Sequence, residues 1–213
     1  MSSPSFQSEI DQHTIKLIVG VIAISLACLT ALFSQNPLDS ISAAYHESGK
    51  SRDILVGFLF AIAAFLLAYN GMSKRELVLS KLTAISAMGV ALFPCRCGSH
   101  PEIVPGLHAI SAVAMFVILV FFCWAFFERA RTKKYPQARI RAILYVVCGG
   151  VIVVSIATIA ADFLLDEAIR RKIPRLTFYG EAAALIAFGV AWLTASRVIP
   201  FITHQKERLS ILP

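Results

Sequence analysis

Six long apolar stretches divide this chain of 213 residues. A helix needs about 20 largely apolar residues to cross a bilayer, and only a helix or a closed barrel satisfies its backbone polar groups there. No strand-like alternation is present, so the pattern predicts an all-α polytopic membrane protein, one six-helix transmembrane bundle over residues 1–213. The predicted spans are 17–34, 54–70, 79–94, 107–127, 143–165 and 177–199.

The composition agrees with this prediction. Apolar residues make up 57% of the chain and charged residues 15%, whereas a soluble domain carries roughly a quarter charged residues. An ordinary soluble enzyme, a disordered protein and a disulfide-stapled secreted module are therefore excluded. Residues 1–16 contain Glu9 and Asp11 and lack the basic start of a signal peptide, so the first stretch is predicted to remain as a span.

The distribution of Lys and Arg predicts the orientation. The strongest basic cluster, residues 128–141, directly follows the fourth stretch, and the positive-inside rule places it in the cytoplasm. Both termini are then cytoplasmic, in a bacterial cytoplasmic membrane, although the basic run 170–175 falls outside. The net charge of +7 is explained by orientation and by contact with anionic lipid headgroups. Nucleic acid is not expected as a partner.

Ionisable residues near the ends of the spans gather on the predicted outer side. Such residues are costly in a membrane and by default mark functional sites. The inner segments carry mostly Lys and Arg, so any site is expected at the outer end. The outer candidates are His46, Asp53, His108, Asp162 and Glu181.

Each outer acid also has a structural explanation. Asp53 is a natural N-cap for the second helix, and Glu181 lies close to the positive end of the sixth. Asp162 lies at a helix C-terminus, where a carboxylate needs a positive partner. Its candidate partners are Arg170, Arg171 and His108.

Two histidines raise the question of a metal. Ser42 lies four residues before His46, and Ser111 three residues after His108, so each pair can share a helical face. Histidine with carboxylate ligands suits zinc, while haem between the two histidines is not favoured. No HxxxH or HExxH spacing fixes a metal, so hydrogen-bonded interfacial histidines are the alternative.

Residues 95–100 read CRCGSH, a weak metal or redox motif because the spacing is CxC and occurs once. An oxidised pair, a reactive pair and a plain structural loop all remain open. In the connection 35–53, Leu38, Ile41 and Tyr45 recur at helical spacing and predict a short interfacial helix.

Four segments resemble a widespread bacterial family of six-span membrane proteins to which no established activity is attached. They are residues 42–60, 90–94, 106–112 and 181–193. The resemblance implies a polar signature of His46, Arg52, Asp53, His108 and Glu181.

A more distant similarity is to the membrane hydrolases related to alkaline ceramidases and adiponectin receptors. Ser42, His46 and Asp53 match the first part of their zinc motif. The later HxxxH is missing, and those proteins have seven spans, so a zinc hydrolase remains a hypothesis.

Three functions follow as hypotheses. The first is a binding or accessory protein that engages membrane lipid, a partner membrane protein or a second copy through Arg52, Asp53, Asp162, Ser42 and Ser111. The second is a metal-dependent lipid hydrolase or transferase, whose ligands are His46 and His108 and whose general base is Glu181. The third is a small proton-coupled transporter that uses Glu181 and Asp162 as relay groups.

Overall fold

A computed structural model describes residues 11–47, 49–97 and 100–207. Within these residues the chain is all-helical, without a β-strand. Residues 1–10, about which the sequence predicts the absence of a signal peptide, lie outside the described residues. The six long helices are α1 (Gln12–Leu32), α2 (Lys50–Ala68), α3 (Lys74–Leu92), α4 (Leu107–Arg131), α5 (Pro136–Leu164) and α6 (Leu176–Ala195); short 3₁₀ helices cover Ser42–His46, Pro200–Ile202 and Gln205–Glu207.

Each predicted span overlaps one helix, and the differences in bounds come from helix caps. Helix α1 begins before residue 17 because the Asp11 carboxylate accepts hydrogen bonds from the N–H groups of His13 and Thr14. The Ser73 hydroxyl caps α3 in the same way, and Pro136 occupies the first turn of α5. Local capping thus adds polar turns that a hydropathy pattern does not include.

Five of the six helices are long and apolar enough to cross a membrane: α1, α2, α4, α5 and α6. Their outward faces carry exposed apolar side chains such as Ile110, Val154 and Phe163, at 68%, 64% and 80% exposure. An all-helical membrane protein is therefore confirmed. Helix α3 differs because its first two turns contain four charged residues. They are Lys74, Arg75, Glu76 and Lys81.

The helices form a closed ring. Each packs against its neighbour in the sequence, and α6 returns to pack against α1. The interior is filled by interlocking aromatic rings, whose centroids lie 5.2–6.2 Å apart in the Tyr69, Phe122 and Trp192 group. Ring closure brings together side chains that are far apart in sequence.

The two ends of the ring hold different polar groups. The predicted outer end consists of the connections 33–49, 93–106 and 165–175, and the predicted inner end consists of 69–73, 132–135 and 196–207. The connection 35–53 contains a 3₁₀ helix, Ser42–His46, with Leu38 and Ile41 buried beside it. The sequence predicts a short interfacial helix here. The segment contains a short 3₁₀ helix and packs against the bundle.

Candidate functional site

Glu181 and Ser42, two of the predicted site residues, contact each other at the predicted outer end. The Glu181 carboxylate on α6 accepts hydrogen bonds from the Ser42 N–H and hydroxyl groups, both at 3.2 Å. Arg175 reinforces the attachment, since its Nε donates to the Leu38 carbonyl at 2.7 Å. Glu181 therefore ties the connection 33–49 to the start of α6.

A cavity beside this contact has a volume of only about 20 Å³. That is room for about one water molecule. Its other walls are apolar side chains from the neighbouring helices, among them Leu26, Leu55, Leu59, Met115 and Phe116. The cavity supplies no space for a substrate at the Glu181 carboxylate, so the geometry favours a structural role for this acid.

His108 and Ser111 lie on the α3–α4 side of the same end. The Nδ1 atom of buried His108 lies 2.8 Å from the Phe93 carbonyl oxygen, so a hydrogen bond joins α4 to the end of α3. Ser111 packs against Gly89, where a Cβ would collide with the Ser111 hydroxyl. Both residues thus serve the close approach of these two helices.

Asp162 forms the ion pair that its position predicts. The buried carboxylate accepts a hydrogen bond from the Arg170 N–H at 2.7 Å, and its Oδ2 lies 3.2 Å from the Arg170 Nε. Of the three candidate partners, Arg170 is the one that pairs. The contact holds the connection 165–175 over the C-terminal end of α5.

His46 contacts the two cysteines of the connection 93–106. Cys95 and Cys97 form a disulfide, and the His46 Nε2 lies 2.8 Å from the Cys95 carbonyl oxygen. A ring nitrogen of His46 and both sulfurs lie within 4.8 Å of one another. His108 is not a member of this group. Among the described residues, the grouping with metal-ligand chemistry is therefore His46 with Cys95 and Cys97.

An open groove of about 470 Å³ lies between the start of α2 and the end of α3. Arg52 and Asp53 stand at its polar edge, and the Arg52 guanidinium lies over the Tyr45 ring, 4.7 Å from the centroid. The remaining wall is apolar or small: Val56, Gly57, Ala91 and Leu92.

The prediction that Asp53 is the N-cap of α2 is wrong, because Gly49 with a φ of 91° takes that position. Asp53 instead lies in the first turn, and no described residue makes an ion pair with its carboxylate.

The predicted inner end, where the sequence predicts mostly Lys and Arg, also holds a buried charged cluster. Glu76 is 5% exposed and forms an ion pair with Arg129. Its carboxylate also accepts hydrogen bonds from the Tyr69 hydroxyl and the Met72 N–H, both at 3.2 Å. Lys16 is 4% exposed, and its ammonium faces the Tyr69 ring at 5.5 Å.

A second inner contact holds the segment 200–207. Arg141 is buried and donates to the Ile202 carbonyl at 3.0 Å and to Glu207 at 2.7 Å. Lys133 also pairs with Glu207, at 3.0 Å. Burial alone would favour protonated Glu207, but hydrogen bonds from Arg141 and Lys133 outweigh it and lower the pKa of Glu207 to about 2. The carboxylate therefore remains charged at all ordinary pH values.

This pKa predicts an acid-dependent release of the segment 200–207. Because the folded-state value is below the ordinary 4.5, the stabilisation is fully present above pH 4.5 and is lost as the pH falls toward 2. The contact is worth roughly 3 kcal/mol above that window. The hydrogen-exchange protection factors of residues 200–207, which correct for the intrinsic pH dependence of exchange, are expected to fall across it. Glu207→Gln should exchange rapidly even at pH 7, and equal protection in both proteins would contradict the assignment.

Sequence reasoning missed the inner cluster for an identifiable reason. Ser73 and Glu76 have the S-x-x-E spacing of a capping box, which by itself explains an acid at the start of α3. The residue that indicated a partner on another helix was Lys16, a cation inside α1, the helix that Asp11 caps. A charge within a span requires a polar or aromatic partner from another helix.

No known protein family, curated protein or solved structure matches this chain. The resemblance of its four segments to a bacterial six-span family accordingly stays a prediction. Function must be inferred from the contacts within the chain itself.

Proposed function

We propose that this protein crosses a bacterial cytoplasmic membrane six times, with both termini in the cytoplasm, and binds the zwitterionic headgroup of a phospholipid in the α2–α3 groove. Helix α3 is the sixth span. Its 19 residues extend about 28 Å, close to the thickness of the hydrocarbon core. The Lys81 ammonium within it donates to the Tyr69 carbonyl at 3.1 Å, so this charge has a partner at the end of α2.

The pair Arg52 and Asp53 carries the proposal. The two residues are adjacent, exposed and opposite in charge, and neither has an ion-pair partner among residues 11–47, 49–97 and 100–207. A phosphoethanolamine headgroup presents the complementary charges, a phosphate for the guanidinium and a primary ammonium for the carboxylate. The apolar wall below them, formed in part by Val56 and Leu92, suits the start of an acyl chain.

Stacking on Tyr45 supports the role of Arg52. An arginine over an aromatic ring keeps its N–H edge available for hydrogen bonds while losing little freedom on binding. Tyr45 is itself held in place through the 3₁₀ helix Ser42–His46, which Glu181 ties to α6. Ser42 and Glu181 therefore act as positioning residues for the groove, and a partner membrane protein is the alternative occupant.

The rival functions receive less support. A lipid hydrolase needs a base with space for a substrate, and Glu181 borders a cavity of about 20 Å³. For a proton-coupled transporter, the buried acid Glu76 at the inner end is an additional candidate relay group. Along α6, however, the buried rings of Phe188 and Trp192 lie between Glu181 and that end. Lipid binding requires neither a substrate cavity nor a polar path.

Lipid retention by the purified full chain tests the proposal. Native mass spectrometry after titration with phosphatidylethanolamine, phosphatidylcholine and phosphatidylglycerol is expected to show preference for phosphatidylethanolamine. Arg52→Ala should weaken all three by about tenfold, or ~1.4 kcal/mol, because each carries a phosphate. Asp53→Asn should remove only the preference for the ethanolamine headgroup.

Lys172→Ala is the matched control, since Lys172 is an exposed cation at the same end and outside the groove. It is expected to leave all three affinities unchanged. Equal retention of the three lipids by the unmodified protein would overturn the headgroup assignment. Unchanged binding by Arg52→Ala would overturn the site, and binding of a co-purified protein that Arg52→Ala abolishes would identify the partner alternative.

A further inference from the structure

The connection 93–106 contains a second, independent site. Cys95 and Cys97 form a disulfide with Cα atoms 5.4 Å apart, and His46 reaches this pair from the 3₁₀ helix Ser42–His46. A ring nitrogen of His46 and the two sulfurs lie within 4.8 Å of one another. Three ligands around one ion at 2.0–2.3 Å have mutual separations below this value.

We propose that reduction of the Cys95–Cys97 disulfide converts this cluster into a binding site for a thiophilic divalent cation such as Zn²⁺, with the two thiolates and the His46 imidazole as ligands. Two thiolates and one imidazole form a ligand set that zinc accepts, with a fourth position left for water. The site is separate from the Arg52–Asp53 groove. It therefore adds a redox-dependent function to the proposed lipid binding.

The surroundings of the ligands favour a metal. When the His46 Nε2 donates its proton to the Cys95 carbonyl, the Nδ1 atom carries the lone pair that binds a metal, and metal-binding histidines are commonly oriented by such a hydrogen bond. The Ser40 Oγ lies 3.8 Å from the Cys97 Sγ and can donate to a thiolate there. Both contacts involve residues at the predicted outer end.

His100 is positioned beside the cluster but does not complete it in the present arrangement. Its ring stacks on that of His46, with centroids 4.3 Å apart and planes 5° from parallel. Lone pairs in parallel planes do not converge on one point, so His100 becomes a ligand only after its ring rotates. We therefore assign three protein ligands to the site.

The redox step is a thiol–disulfide exchange with a dithiol reductant. A reductant thiolate attacks the Cys97 sulfur, since Cys97 is more exposed than Cys95, the S–S bond breaks, and Cys95 leaves as a thiolate. The second reductant thiol then displaces Cys97. The reductant becomes a disulfide, two electrons pass to the protein, and Zn²⁺ binding releases the thiol protons.

Metal content of the purified full chain tests the site. After reduction by a phosphine, which removes the oxidised product as a phosphine oxide, and desalting without oxygen, one Zn²⁺ per chain is expected to remain. The untreated, disulfide-bonded protein should retain none. Co²⁺ in place of Zn²⁺ should give the thiolate charge-transfer band of a tetrahedral centre.

Variants assign the ligands. Cys95→Ser with Cys97→Ser should abolish binding, and His46→Ala should weaken it at least tenfold. Cys28→Ser is the matched control, because Cys28 is an exposed free cysteine in α1, and it should bind Zn²⁺ fully. Equal Zn²⁺ retention by the double cysteine variant and the reduced unmodified protein would overturn the site.

A measurement on the unmodified chain covers variants that fail to fold. In the phosphine-reduced protein, Zn²⁺ should slow alkylation of Cys95 and Cys97 by N-ethylmaleimide at least tenfold without slowing that of Cys28, as read by peptide mass spectrometry. Equal alkylation rates with and without Zn²⁺ would contradict the proposal.

Discussion

Replacing Glu76 with Gln is expected to destabilise the folded protein by about 3 kcal/mol. Removing one member of a buried ion pair leaves the other charge without compensation, at a cost of roughly 3–5 kcal/mol. The lower end applies because the Arg129 side chain is 33% exposed, whereas that of Glu76 is 7% exposed. The buried Lys16 also loses the electrostatic stabilisation by Glu76, while the repulsion between Lys16 and Arg129 remains.

Unfolding in mixed micelles, followed through tryptophan fluorescence, measures this effect because Trp192, one of the two tryptophans, is fully buried beside Tyr69. The double variant Glu76→Gln with Arg129→Met should recover much of the loss, since it removes both charges. Glu128→Gln is the matched control. The Glu128–Arg131 pair is exposed on one helix face, and its loss should cost less than about 1 kcal/mol. Equal effects at residues 76 and 128 would contradict a buried ion pair.

Replacing Gly189 with Leu is expected to cost about 3 kcal/mol or more, because it separates the two helices that close the ring. A Cβ at Gly189 would lie 2.8 Å from the Gly20 carbonyl oxygen and 2.5 Å from an Ile24 side-chain carbon. A Cβ at Gly20 meets the Gly189 carbonyl at 2.9 Å in return. Overpacking typically costs 1–3 kcal/mol, and the cost is at the upper end here because backbone atoms cannot move aside.

Gly150→Ala provides the comparison, since a Cβ at Gly150 meets nothing within 4 Å. In a helix interior this change should stabilise by about 0.5–1 kcal/mol. The same fluorescence-detected unfolding measures both variants. A Gly189→Leu protein as stable as Gly150→Ala would show that α1 and α6 do not pack this closely.

Much of the outer end could be predicted from residue types alone. Asp162 lies at a helix C-terminus, so its need for a cation is local, and Arg170 lies within reach along the chain. The contact between Ser42 and Glu181 could not be predicted in the same way. It spans 139 residues and depends on how α6 approaches the start of the 3₁₀ helix.

For the cluster of His46, Cys95 and Cys97, too, the sequence predicted the local chemistry but not the contact between distant residues. The CxC spacing at residues 95–97 predicted a metal or redox role without choosing between them. The sequence paired His46 with His108, whereas the structure brings His46 to Cys95 and Cys97. The pairing depends on the direction in which two connections cross at the end of the bundle, and no local pattern encodes that.

The sequence by itself determined the helical class and the order of the six helices, because hydrophobic length is a local property. It predicted six spans, and five of the helices are long and apolar enough to cross a membrane. Only the tertiary structure decided where the charges lie relative to one another. Closing α6 onto α1 and packing α3 against α4 placed Lys16, Glu76 and Arg129 together at one end. Burial and electrostatic pairing depend on neighbours distant in sequence, so they become defined only when the ring closes.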